Sequence, residues 1–126
     1  YSNYQYINEF DYLVGTETTM TYEALSRRQK IAIFAIRGQL FKKQFPGIKT
    51  NNEQYNFFWP SKKSIEGNFW THLNDNDSMT RVLDFVTNCT DEEWIEELDK
   101  INEHDNILYD FGNTKLKNLI DKIIME

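Results

Sequence analysis

Apolar positions along the chain fall mainly at helical spacing. The longest such stretch runs from Ser26 to Phe45, SRRQKIAIFAIRGQLFKKQF, and is closed by Pro46-Gly47. Ser26 followed by Gln29 has the form of a capping box, in which the serine accepts a backbone N–H and the glutamine reaches back. Pro46 cannot continue a helix and restricts Phe45 before it. At about 100° per residue, Ile31, Phe34, Ala35, Gly38, Phe41 and Phe45 share one face, with Ile33, Ile36 and Leu40 nearly opposite. Lys30, Arg37 and Gln44 form one polar strip between them, and Arg28, Gln39 and Lys43 the other. A helix apolar on two sides is buried between layers or lends its second face to a partner. Residues 27–45 are therefore expected to be the spine of the molecule, with Gly38 at a close helix crossing and basic stems snorkelling outward.

The same spacing predicts further helices. Residues 3–14 place Tyr6, Ile7, Phe10, Leu13 and Val14 together, with Gly15 as a stop. Thr21 can open a single turn holding Tyr22 and Leu25. Ile65, Phe69, Trp70 and Leu73 suggest a helix over 62–73, weakened by Gly67. After the breaker Asn74 to Ser78, a helix capped by Asp77 or Ser78 carries Met79, Val82, Leu83, Val86 and Cys89 on one face. Thr90 with Glu93 is a second capping box, opening a helix over 91–103 with Trp94, Leu98 and Ile101 inward. Asn106 to Gly112 suggests an ordered loop. Asn113 or Thr114 caps a last helix whose Leu116, Leu119, Ile120, Ile123 and Ile124 face the core. Tyr55, Phe57 and Trp59 alternate with Asn56 and Phe58, the period of a short strand near 54–59. The expected fold is mostly α, a single bundle of five to six helices around the 27–45 helix, with at most one short strand pair. At 126 residues this is one domain, 1–126, large enough for a core without staples.

Charge changes the picture more than composition does. The net charge is −6, but residues 1–23 hold four acids and no base, residues 24–63 nine bases and only Glu53, and residues 64–126 fifteen acids against five bases. Such asymmetry points to a charged partner or to strong internal pairing. A lone cysteine, Cys89, allows no internal disulfide and suits a reducing, cytoplasmic compartment. The chain shows no leader pattern at its start. Its longest apolar run, Ile31 to Ile36, is too short to cross a membrane, and no membrane partner is expected. Asn76-Asp77-Ser78 and Asn88-Cys89-Thr90 match a glycosylation pattern but serve equally as helix-start chemistry.

Candidate chemistry is sparse. Asp75 and Asp77 resemble part of a calcium loop, yet Met79 and Thr80 stand where that pattern needs an oxygen ligand and a glycine. His72, His104 and Cys89 lack the spacing of a zinc site, and Cys89 lies on an apolar helix face where it acts as a small hydrophobe. No glycine-rich phosphate loop is present. The expectation is a protein that is not an enzyme and needs no cofactor or metal. Two binding surfaces remain. Asp91, Glu92, Glu93, Glu96, Glu97, Asp99 and Glu103 can present a carboxylate face to a basic protein, steering association and regulating or inhibiting that partner; self-association is an alternative. Arg27, Arg28, Lys42, Lys43, Lys49, Lys62 and Lys63, interleaved with Tyr55 and Trp59, have the composition of a nucleic-acid surface, neutralising phosphates and stacking bases. The first surface is the leading expectation and the second its alternative.

Overall fold

The computed structural model describes residues 6–47, 60, 64–105 and 114–125. Elements follow one another as a 3-10 helix (Tyr6–Glu9), β1 (Leu13–Gly15), α1 (Thr19–Ser26), β2 (Ile31–Phe34), α2 (Arg37–Gln44), β3 (Trp70–Thr71), α3 (Asn76–Asn88), α4 (Asp91–Asp105) and α5 (Thr114–Met125). The fold is mixed α/β, with five α-helices and a three-stranded parallel sheet in the order β1-β2-β3 among the described residues, and not a helical bundle around one central helix. The registers are Leu13↔Ile31, Val14↔Ala32 and Gly15↔Ile33, then Ile33↔Trp70 and Phe34↔Thr71.

The expected spine is broken in two, and the break explains its two apolar faces. Ile31, Ala32 and Ile33 are all buried and Phe34 partly so. Successive side chains on a strand point to opposite faces, so an unbroken apolar run is what a central parallel strand requires. Opposed faces on a helical wheel and the two sides of a strand are the same residues counted with different periods. Ser26 ends α1 rather than opening a helix, its hydroxyl donating to the Glu23 carbonyl at 2.8 Å. Gln29 donates instead to the Phe10 carbonyl.

α1 stops in a Schellman turn. The Gln29 N–H bonds the Ala24 carbonyl at 3.0 Å and the Arg28 N–H bonds Leu25 at 2.9 Å, satisfying carbonyls the helix would otherwise leave open. The left-handed residue of this motif is usually glycine. Here it is Arg28, at φ 64°. Trp94 holds the turn from the far side of the sequence, its Nε1–H donating to the Arg28 carbonyl at 2.8 Å. The Trp94 ring is 2% exposed and meets Phe69 edge-on at 4.9 Å, as Phe69 meets Trp70.

Other elements depart from expectation for equally local reasons. Residues 3–14 do not form one helix: Tyr6–Glu9 is a single 3-10 turn, burying Ile7, and Gly15 ends β1 rather than a helix. The expected turn at Thr21 is a full helix, capped by Thr18, whose Oγ1 accepts the Thr21 N–H at 3.3 Å. Within 62–73 the described residues turn back on themselves, Glu66 bridging Thr71 and the Gly67 N–H bonding the Trp70 carbonyl at 3.0 Å. Gly67 is required there, because a Cβ would lie 1.9 Å from the Trp70 ring. α3 is capped by Asp75, whose Oδ1 accepts the Ser78 N–H at 2.8 Å, ahead of both the Asp77 and the Ser78 expected. The Thr90–Glu93 box forms as written, with reciprocal bonds of 2.8 and 3.2 Å, and Trp94, Leu98 and Ile101 are buried. In α5 the apolar stripe faces solvent, with Leu116, Leu119, Ile120, Ile123 and Ile124 all exposed. The strand expected at 54–59 and the loop Asn106 to Gly112 lie outside the described residues.

The Arg28 turn yields a prediction. Replacing Trp94 with Phe leaves the Arg28 carbonyl without its donor and should cost about 1–3 kcal/mol. Arg28→Gly removes a left-handed strain of about 1–2 kcal/mol, partly offset by glycine's freedom in the unfolded chain, so it should be neutral to stabilising. Arg28→Val should destabilise. Urea unfolding followed by far-ultraviolet circular dichroism orders the three.

Candidate functional site

Parallel strands place their carboxyl ends on one edge, where open α/β sheets bind ligands. Here β1 runs into Thr16-Glu17-Thr18, β2 into Ala35-Ile36-Arg37 and β3 into His72-Leu73-Asn74. The edge is tied together beyond the strands. The Ala35 N–H bonds the Thr71 carbonyl at 2.9 Å, and the Asn74 N–H bonds Gln39 Oε1 at 3.2 Å. His72 is 3% exposed at the end of β3.

Glu17 is the chemically distinctive group on this edge. Its carboxylate is half-buried between the start of α1 and the start of α2. Burial pushes its pKa above the usual carboxylate value, while the backbone amides of Glu17 and Arg37 and the Arg37 guanidinium oppose that rise. Oε1 is buried with no hydrogen-bond partner among the described residues, an arrangement that costs free energy unless something donates to it. Tyr22 stands close enough for its phenol to be pushed up as well, by burial first and by the Glu17 charge second.

The turn that carries Glu17 is tightly built. The Thr18 N–H bonds the Thr16 carbonyl at 2.8 Å, and the Thr18 and Thr21 hydroxyls lie 3.1 Å apart. Gly15 leaves no space: a Cβ would sit 2.5 Å from Thr21 Oγ1, and Thr21 is 3% exposed. Beside this turn a groove of about 170 Å³ runs along β1, lined by Tyr6, Phe10, Val14, Met20 and Thr18 among others. The Thr18 and Thr21 hydroxyls of the turn thus border a groove with two exposed rings, Tyr6 and Phe10, and Glu17, next to Thr18 in the chain, does not itself line it.

Of the acidic face, Asp91, Glu92, Glu93, Glu96 and Asp99 are exposed on α4, while Glu97 is partly covered and pairs with Lys100. Glu93 also caps its own helix, and Asp91 meets Lys30 at 2.9 Å. Glu103 belongs to α4. The basic set is divided. Arg27, just past the end of α1, is bound to Glu23 at 2.6 Å. Arg28 borders a polar cleft at the opposite, amino-terminal end of β2, with Asp11, Lys30 and Asp91. Lys42 and Lys43 lie in the last turn of α2, and Lys49, Lys62, Lys63, Tyr55 and Trp59 lie outside the described residues. Glu17, Tyr22 and Arg37 were in neither set. The signal that could have marked them is Leu13-Val14-Gly15 followed by Thr-Glu-Thr-Thr, a short apolar run, a glycine and a helix cap, which is a strand-to-helix turn.

Two measurements test this geometry. Gly15→Ala should cost about 1–3 kcal/mol, the range for overpacking a filled site, read from the urea midpoint. A carboxylate with a raised folded pKa contributes stability that is present at low pH and lost as pH rises through that pKa. Glu17→Gln should therefore be more stable than the parent at pH 7, with the advantage shrinking toward pH 4; a variant less stable at pH 7 would contradict the buried, unsatisfied carboxylate.

No curated protein and no solved structure shows a match to the chain. A family model does, across residues 1–124. The chain belongs to the family described as "putative O-antigen biosynthesis protein".

Proposed function

We propose that the chain binds a phosphate-activated sugar at the carboxyl edge of its sheet, as a component of O-antigen assembly. The observation that carries this reading is Glu17, a half-buried carboxylate just past the end of β1 whose Oε1 meets no donor among the described residues. A sugar hydroxyl is such a donor, and hydrogen bonds to a charged group are the stronger ones. The groove that reaches Thr18, the residue after Glu17, carries the exposed rings of Tyr6 and Phe10, which give the apolar C–H face of a sugar a surface to lie on. Arg37, at the start of α2 and electrostatically linked to Glu17, supplies the positive charge for a phosphate that Glu17 would itself repel. Thr18 and Thr21 hydroxyls fix the turn that aims these groups. O-antigen is a polysaccharide, and its assembly consumes activated sugars, which agrees with the family's description.

The test is calorimetric titration with UDP-N-acetylglucosamine, GDP-mannose and dTDP-rhamnose, with the free sugars and UDP as separate arms. Arg37→Ala should weaken the nucleotide sugars and leave the free sugars unchanged. Glu17→Ala should weaken both kinds of sugar about tenfold or more, the scale of one hydrogen bond to a charged group. If none of these probes binds at millimolar concentration, or if both variants bind as the parent does, the reading fails.

A further inference from the structure

Among the described residues, α5 is a helix with no cover. Its apolar residues Leu116, Leu119, Ile120, Ile123 and Ile124 range from 45% to 76% exposed, and Asn118, Asp121 and the other described residues of the helix are exposed too. Twelve residues is a marginal length for a helix standing alone in water. Most helices of this size owe their stability to an apolar face that packs on something. The expected packing onto the core does not occur, and no described residue covers this face.

The arrangement of charge says what surface it suits. On a helical wheel the five apolar residues span an arc of about 140°. Lys117 borders the arc on one side, and Lys122 and Asp121 lie equally far beyond its two edges, about 60° each. Lysines flanking an apolar arc can extend their stems along it and raise their ammonium groups to a charged interface. α5 carries three lysines and one aspartate, against a whole-chain charge of −6. The helix is thus a basic element on an acidic protein. We infer that α5 is an interfacial anchor that lies in the plane of an anionic lipid surface, its apolar arc below the headgroups and its lysines among them. No described helix is long and apolar enough to cross a membrane, and α5 needs none of that length to lie on one. The acidic remainder of the chain is repelled by the same surface, which directs α5 toward the lipid. The inference replaces the expectation of a chain without a membrane partner, and it does not rest on the sugar site.

The experiment is co-sedimentation of the full chain with vesicles of phosphatidylglycerol and phosphatidylethanolamine, with pure phosphatidylcholine vesicles in parallel, at low and high salt. Binding is expected to the anionic vesicles at low salt, with at least about a tenfold loss on phosphatidylcholine or in Lys117→Glu/Lys122→Glu. Leu119→Ser/Ile123→Ser should abolish it, and since these side chains are exposed, both double variants should retain the parent's core unfolding transition. Glu17→Gln should bind vesicles as the parent does, which separates this outcome from the fate of the sugar site. Absence of binding at low salt overturns the inference. So does undiminished binding by Leu119→Ser/Ile123→Ser. A light-scattering mass showing a dimer that these substitutions dissociate, without vesicle binding, assigns the face to a second copy and overturns it equally.

Discussion

Everything described in this chain hangs on the two-sided burial of four residues. Ile31, Ala32 and Ile33 leave almost no surface, and β2 must be covered above and below at once. α1 and α3 pack against it and β1 and β3 close its sides. A strand so enclosed cannot be entered casually, and its entry is where the unusual backbone lies. Arg28 turns left-handed, Trp94 bonds its carbonyl, and two residues later Lys30 donates to the Cys89 carbonyl at 2.8 Å. The ion pair from Lys30 to the exposed Asp91 contributes little by itself. The bond to Cys89 matters more, because it serves a carbonyl just past the end of α3 that intrahelical bonds cannot reach. Hydrogen bonding to Asp91 holds the Lys30 ammonium above its usual pKa, so the clamp stays charged through the neutral range. Cys89, tucked beneath, is kept as a thiol chiefly by burial.

What could be read from the letters divides along the range of the interaction involved. The Thr90–Glu93 box and the inward face of α4 were legible because both partners lie within one helical turn. α3 was legible except for its cap, which lies ahead of both expected residues. β2 was not, and the reason is specific. IAIF is too short to declare a period, its basic neighbours extend the helical pattern in both directions, and the stop between α1 and β2 is an arginine where the signal would be glycine. The bond that makes Arg28 tolerable comes from a tryptophan 66 positions away. Likewise Ser26 and Gln29 have the letters of a capping box, but they act at the end of a helix.

The candidate site was less legible than the fold. Glu17 is an ordinary acid in a threonine-rich stretch, and its meaning comes from parallel pairing that brings the ends of β1 and β2 together. Arg37 had been placed in a polar strip of a long helix, when it is the first residue of a short one facing that edge. α5 shows the opposite case. Its amphipathic pattern was plain in the sequence, and only the direction of its apolar face was not, since periodicity reports that a face exists without reporting what it meets.

The outer side of β1 offers one last consequence. Among the described residues, the three of β1 form the outer edge of a parallel sheet, with Val14 exposed and aromatic rings nearby, the kind of surface on which strands of separate molecules can add to one another. Glu9, Asp11 and Glu17 surround these three residues, with no base among residues 6–26. Two copies brought edge to edge would press like charges together, before any ladder of backbone bonds could form. The acidity of this stretch thus opposes self-pairing of the edge, while a neutral or basic strand meets no such repulsion.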